Sequence, residues 1–397
     1  MRSEHPRCDG AAMKTRIHIT YAVSSLLATL ALTAAVAGAT AGTSAPGRAG
    51  AREATLQLAL DRVVAGGVPG AALLVRDGGR TIRLTSGYGN LKPRTPLRAN
   101  DRFRVGSVTK AFVATVVLQL VGERKLALDD TVARWLPGVV PNGKRITVRQ
   151  LLGHRSGLFD YGGDAHFVEA AYRNPLRDWS PRAIVAIAVS HRPRFAPGKS
   201  WGYANTNYFV LGLIVEAAAG RPLGAELRRR IIEPLHLRAT SFDTGPRIAG
   251  HHAHGYFLSP LEDVSVGSPS VVWAAGALVS DADDLARFFT ALLGGRLLAP
   301  AELRSMETIA GSTPLFSYGL GLEKVPTACG AVWGHTGAMP GYSTNALGSK
   351  DGRRQVIVLV NGTHALGAAS SNGFRGFGPP ERAGHAIDRL VRIAYCG

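Results

Sequence analysis

The sequence predicts an α/β fold: an antiparallel sheet built from both termini and flanked by helices, with a mostly helical domain inserted between its halves. Three observations carry this. Strand-like segments gather near both ends, helix-period segments fill the middle, and a 46% apolar share against 19% charged is enough for a sizeable core. The 48 Gly and 22 Pro are dispersed as loop punctuation without a three-residue period, which excludes collagen-like and low-complexity readings. No internal repeat is visible, which excludes solenoids and propellers.

Taken in order, Met13-Lys14-Thr15-Arg16 opens a basic start, Ala22 to Ala37 is apolar, and small residues follow at Ala37-Gly38-Ala39 and Ala39-Thr40-Ala41. That pattern reads as a secretory signal peptide over 1–41, cleaved after Ala39 or Ala41, with Met13 the better initiator. Residues 52–65 carry the helix stripe Leu56, Leu60, Val63 and Val64. Ala71 to Arg76 and Thr81 to Thr85 flank Asp77-Gly78-Gly79 as a hairpin. Ser107 to Gly122 has the spacing of a buried helix, and Trp179 to Ser190 and Asn205 to Gly220 are further helical stretches. Trp333 to Gly337, Tyr342 to Gly348 and Gln355 to Asn361 read as strands, the last two joined by Lys350-Asp351-Gly352. Pro380 to Tyr395 closes as a helix. The layout is therefore a leader over 1–41, an α/β part over 52–140, a mostly helical domain over 141–255 and a second α/β part over 256–397.

The chain of 397 residues holds 46 Lys+Arg against 28 Asp+Glu, a formal balance of +18. Loss of residues 1–41 removes four positive and two negative charges and leaves +16. Such a charge attracts polyanions, either nucleic acid or an anionic cell envelope. No zinc finger, RNP stripe or helix-turn-helix accompanies it, so no nucleic-acid function is expected. The densest run, Arg228-Arg229-Arg230, is expected to be a solvated face. Cys8 leaves with the leader, and the remaining even pair, Cys329 and Cys396, is expected to form a disulfide in a secreted protein. No membrane span is expected once the leader is gone, and the protein is expected to be a monomer.

The chemistry begins at Ser107-Val108-Thr109-Lys110, a Ser-x-x-Lys at the start of a helix. Three residues apart, hydroxyl and amine share one helix face. A desolvated lysine can lose its proton and activate the serine, and the helix N-terminus directs N–H groups toward developing negative charge. Alone the pattern is weak, since chance could place one in this chain. Two partners strengthen it. Tyr203-Ala204-Asn205 follows a Pro197-Gly198 loop and opens an apolar helix, a junction that can turn both side chains into a cleft. His335-Thr336-Gly337 lies on an apolar strand that can offer the backbone N–H of Ala338 to a substrate oxygen.

Together with Leu151-Leu152-Gly153-His154-Arg155-Ser156-Gly157-Leu158, these motifs stand in the order of a known family. The chain resembles the penicillin-recognising serine hydrolases, of the class C β-lactamase and secreted streptomycete D-alanyl-D-alanine carboxypeptidase type, over about residues 55–397. The resemblance implies a β-lactamase/transpeptidase-like fold and an acyl-enzyme mechanism without metal or cofactor. Ser107 would be the nucleophile, and Lys110 and Tyr203 would share the proton transfers. Asn205 would hold the substrate amide, His335, Thr336 and Gly337 would line the edge strand, and the N–H groups of Ser107 and Ala338 would form the oxyanion hole. Phe167 and Trp273 would line the cleft, with Asp160 and Tyr161 at its rim. Peptidoglycan stem peptides or related small acyl compounds are the implied substrates, and β-lactams the implied covalent inhibitors or substrates.

Two positions depart from the pattern. Where carboxypeptidases of this group grip a terminal carboxylate with an arginine and a threonine, this chain has Glu323 and Ala338. A glutamate repels a carboxylate and lacks an arginine's bidentate fork, though Lys324 could compensate. The first expectation is a D-alanyl-D-alanine carboxypeptidase-like hydrolase. A β-lactamase, an esterase or D-aminopeptidase, and a non-catalytic β-lactam or wall-peptide binder are the alternatives. No carboxylate at ligand spacing accompanies His251-His252-Ala253-His254 in the sequence, and Gly250 and Gly255 mark a loop, so no metal is expected there. His154 is expected to be a structural turn residue.

Overall fold

A computed structural model describes residues 48–242, 245–366 and 377–397. The leader, its initiator and Cys8 lie outside the described residues.

Helix α1 (Arg48–Ala65) precedes the hairpin of β1 (Gly70–Asp77) and β2 (Arg80–Leu91), where Asp77 pairs with Arg80 across the Gly78-Gly79 turn. A short β3 (Arg94–Pro96) extends it. The remaining strands of this sheet come from the far end of the sequence. They are β4 (Gly311–Ser312), β5 (Ser317–Tyr318), β6 (Glu323–Thr327), β7 (Gly330–Met339), β8 (Tyr342–Gly348) and β9 (Arg354–Val360). Among the described residues the nine strands form one sheet, in the order β3-β2-β1-β9-β8-β7-β6-β5-β4 and antiparallel throughout. The seam is β1 against β9, Ala71 opposite Val360 through Asp77 opposite Arg354. Both ends of the described chain thus build a single antiparallel sheet, as the patterning predicts.

The period of two along β1 and β9 feeds two cores. Leu73, Val75, Val356 and Val358 join Leu56, Leu60 and Val63 of α1 and Ile387 and Leu390 of α5 (Glu381–Cys396). Ala72, Leu74, Ile357 and Leu359 join the other core, with α2 (Thr109–Gly122), α3 (Thr206–Ala219) and α4 (Ala282–Leu293). Helix α2 is buried on nearly every side, Lys110 included, the signature of a central helix rather than a surface one. Helices Val148–Leu152, Ala165–Arg173, Pro181–Ser190 and α3 lie within residues 141–255, the span read from the sequence as mostly helical.

Two smaller features bear on the sequence reading. Cys329, in the turn between β6 and β7, is bonded to Cys396 at the end of α5, with Cα atoms 5.6 Å apart. The solvated face expected of the arginine run holds for Arg228 and Arg229 but not for Arg230. The Arg230 side chain is buried, bonded to the buried Glu226 and to Glu123 at the end of α2. A wide π turn over Arg228–Ile232 carries its guanidinium inward between two carboxylates, a partnership that tripeptide patterning does not reveal.

Candidate active site

Ser107 sits in a single 3₁₀ turn, Gly106–Val108, that leads into α2. Gly106 takes φ +53°, and a Cβ there would lie 3.0 Å from the backbone N of Ala338. Only glycine combines that left-handed turn with so close an approach of two backbones. One turn on, Lys110 is completely buried, and its Nζ donates to Ser107 Oγ, Asn205 Oδ1 and the Ala275 carbonyl, each at 2.8 Å. Three acceptors hold the amine at the serine, while burial pulls its pKa down to about 7, opposed by the nearby Asp160 and Glu323. Near neutral pH this lysine can exist as a free base.

Tyr203 donates its hydroxyl to the same Ser107 Oγ at 2.8 Å. Burial pushes the phenol well above its usual pKa, so it remains a proton donor. The loop before α3 is held at several points. Gly202 N donates to the His154 carbonyl (2.9 Å), Ala204 N to His154 Nδ1 (3.3 Å), and the His154 ring lies 4.3 Å from the Tyr203 ring. His154 itself has φ +56°, the turn conformation expected of it. Asn205 gives both its backbone N–H and its Nδ2 to Asp160 Oδ2 at 3.2 Å, leaving Oδ1 for Lys110.

The third side is β7. Strand β6 pairs with it only as far as Glu323 opposite Gly334, so residues 335–339 present an open edge on that side. The Thr336 N–H points to this edge, donating to Glu323 Oε2, and by the alternation of an antiparallel ladder the Ala338 N–H points the same way. A Cβ on Gly337 would lie 3.1 Å from Ser107 N. The Ser107 and Ala338 backbones therefore flank one spot, the arrangement an oxyanion hole needs.

His335 does not face this edge. It is buried, with Nδ1 on the Thr336 carbonyl and Nε2 3.1 Å from the Tyr318 hydroxyl, and burial lowers its pKa to about 3, so it is neutral. Glu323 is 3% exposed. Both its oxygens are taken by Thr336, Oε2 by the N–H and Oε1 by the hydroxyl, each at 3.0 Å, and burial raises its pKa to about 7.

The structure thus brings together Ser107, Lys110, Tyr203, Asn205, Thr336, Gly337 and Ala338. It does not bring Phe167 to the cleft. That ring is 7% exposed and packs inside the core against Tyr161 (5.2 Å) and Trp179 (4.9 Å), on the apolar side of its helix. Trp273 is partly exposed, with φ +25°, and its ring lies against Phe209 at 5.6 Å and over Gly212 of α3. It starts the short helix Trp273–Gly276 whose Ala275 carbonyl holds Lys110. Asp160 and Tyr161 are buried supports rather than a rim. Asp160 anchors Asn205, and the Tyr161 hydroxyl donates to the Val271 carbonyl at 2.6 Å. Lys324, one residue from Glu323 and so on the alternate face of β6, stands over the Trp333 ring and does not compensate for the glutamate. Sequence reasoning missed Tyr318, a buried phenol on β5 joining His335 to the Tyr203 ring, because a two-residue strand leaves no periodic signal.

A family model described as Beta-lactamase matches residues 53–375. The chain is 41% identical to the D-stereospecific amidohydrolase of a Streptomyces species, whose crystal structure superposes with TM-score 0.72 over 78% of this chain and 94% of that one. It is 27% identical to the D-amino acid amidase of Ochrobactrum anthropi SV3, with TM-score 0.75 over 86% and 98%. Penicillin-binding protein 4* of Bacillus subtilis (strain 168) is 28% identical over 316 residues, 74% of this chain and 68% of that protein.

Proposed function

From the premise that the chain belongs to the beta-lactamase family and is a serine hydrolase, we propose that it hydrolyses amides of D-amino acids and related small acyl compounds through an acyl-enzyme on Ser107. The observation that carries this reading is the convergence of Lys110 Nζ and Tyr203 OH on one hydroxyl, each at 2.8 Å, beside two backbone N–H groups. With Lys110 neutral, the 2.8 Å contact runs in reverse: Ser107 gives its proton to Nζ as Oγ attacks the carbonyl. The N–H groups of Ser107 and Ala338 hold the developing oxyanion, a term typically worth on the order of 10²-fold or more per donor. Tyr203, which keeps its proton, relays one to the departing amine, and Asn205, held by Asp160 and Lys110, steadies the substrate amide. Water then clears the acyl group by the same steps.

The choice of D-amino-acid amides over peptides ending in free D-alanine rests on two supports. The Streptomyces amidohydrolase and the Ochrobactrum amidase match over most of this chain. Moreover, Glu323, the residue that the resemblance sets where a carboxypeptidase has its carboxylate-gripping arginine, puts a carboxylate on Thr336 of the edge strand. We further propose that the protein is exported by its leader and that Cys329–Cys396 forms after export.

The test is a substrate panel with the adduct read by mass spectrometry. D-phenylalaninamide should be turned over faster than L-phenylalaninamide and faster than a peptide ending in D-Ala-D-Ala, and labelled penicillin should modify Ser107. Preference for the D-Ala-D-Ala peptide would replace this reading with a carboxypeptidase. Failure of every acyl donor to modify Ser107 would leave a non-catalytic binder.

A further inference from the structure

The open edge of β7 is where an extended substrate can lie. Its outward N–H groups are those of Thr336 and Ala338, about 7 Å apart along the strand, with the Thr336 hydroxyl beside the first. The Ala338 group faces the Ser107 turn. The Thr336 pair forms a ready anion-binding fork, two donors within reach of a group one or two residues from the reacting carbonyl.

That fork is already filled from within the chain. Glu323 is the first residue of β6 and pairs opposite Gly334, and toward the open edge its side chain takes over from the ladder. One carboxylate oxygen accepts the Thr336 N–H and the other the Thr336 hydroxyl, both at 3.0 Å. His335 Nδ1, itself on the Thr336 carbonyl, stands 3.4 Å from Oε1. A carboxylate bears only acceptors. Glu323 therefore matches, in chemistry and in geometry, the very group the fork would otherwise take from a ligand.

We propose that Glu323 is a specificity-determining residue that acts as a built-in carboxylate. By occupying both donors of Thr336 it closes the β7 edge to substrates carrying a carboxylate next to the scissile bond, and leaves it open to neutral acyl donors. Selection works through occupancy of the donors more than through charge. This goes beyond the amide reading above, because it fixes which substrate group is refused and by which atoms; it rests on that reading only in taking Ser107 as the acylated residue.

Occupancy and charge separate in two variants. In Glu323→Gln the charge is gone, but the amide oxygen still accepts from Thr336 N and the amide nitrogen still meets the hydroxyl. In Glu323→Ala both donors are freed. The probes are two thioesters that share an acyl group and differ only in whether the thioglycolate leaving group ends in a free carboxylate or in its methyl ester. The measurement is kcat/KM for each in wild type and both variants, with thermal melting to confirm folding. Wild type should favour the methyl ester. Glu323→Ala should shift the ratio toward the carboxylate by about tenfold or more, the worth of a hydrogen-bonded charge, while Glu323→Gln stays within about threefold of wild type. An unchanged ratio in Glu323→Ala overturns the proposal. An equal shift in Glu323→Gln overturns it too, by assigning selection to charge alone. If wild type accepts neither thioester and Ser107 carries no acyl group, the serine-hydrolase reading fails instead, a result distinct from either.

Discussion

The two cores on either side of the sheet bury different chemistry. Where α1 and α5 meet β1 and β9, the buried cluster is aliphatic, with Tyr395 at its edge. Around α2 a mixed aliphatic and aromatic packing is interrupted by Lys110, His154, Asp160, Glu323 and His335, all buried. Each of these would cost stability if left unpartnered. Each has partners, though His154 is bonded at Nδ1 alone and its buried Nε2 meets none among the described residues, and burial moves every one of their pKa values toward the neutral form. The first core holds the sheet together; the second keeps an amine and one carboxyl, Lys110 and Glu323, close to losing their charges.

Substitutions on the two sides should separate cleanly. Ser107→Ala should cost on the order of 10⁴-fold or more in kcat/KM, with the melting temperature essentially unmoved; a residual rate near wild type would relocate the nucleophile. Tyr203→Phe should cost about 10²–10⁴-fold in acylation, read from single-turnover kinetics. Leu390→Ala, in the aliphatic core, should do the reverse. It should destabilise by about 2–5 kcal/mol in denaturant unfolding while kcat per folded molecule is kept, and a matching loss of kcat would mean the two cores are coupled.

The smallest effect carries a sign. The Lys110 pKa falls from the ordinary lysine value to about 7 on folding, so the unfolded chain binds more protons between about pH 7 and the ordinary value. Wild-type stability should therefore rise with pH across that window. Lys110→Met should be inactive yet more stable, by about 1–3 kcal/mol below pH 7, and the gain should shrink as pH climbs; melting curves at several pH values check this. In the wild type, acylation should rise through an apparent pKa near 7 as the amine loses its proton. Glu323 titrates in the same range, so that apparent value belongs to the pair.

The same contrast explains what the sequence made legible. Alternation and helix stripes predict α1, the β1–β2 hairpin, β7 to β9 and α5, because one face of each is buried against aliphatics. The Ser-x-x-Lys, Tyr-x-Asn and His-Thr-Gly motifs predict the three walls of the site, and the turn at Gly106 and the junction before α3 bear the geometry out. The polar supports were not legible. Asp160 looks like a rim residue until its carboxylate is found under Asn205, and Phe167 looks like a cleft aromatic until its ring is found against Trp179. Glu323 was visible as an anomaly, but its grip on Thr336 depends on where β6 begins, which no local pattern encodes.

One small residue ties the amine to the buried packing of α3. The ring of Trp273 lies on Gly212, where an added methyl would stand 2.7 Å from the indole. Two residues further, the Ala275 carbonyl is one of the three acceptors around Lys110. A methyl group added at Gly212 would press on both the indole and the Ala274 side chain, the residue before that carbonyl. The helix packing under Trp273 and the hydrogen bonding of the amine thus share one short segment, and a substitution at Gly212 is felt within two residues of an acceptor of Lys110.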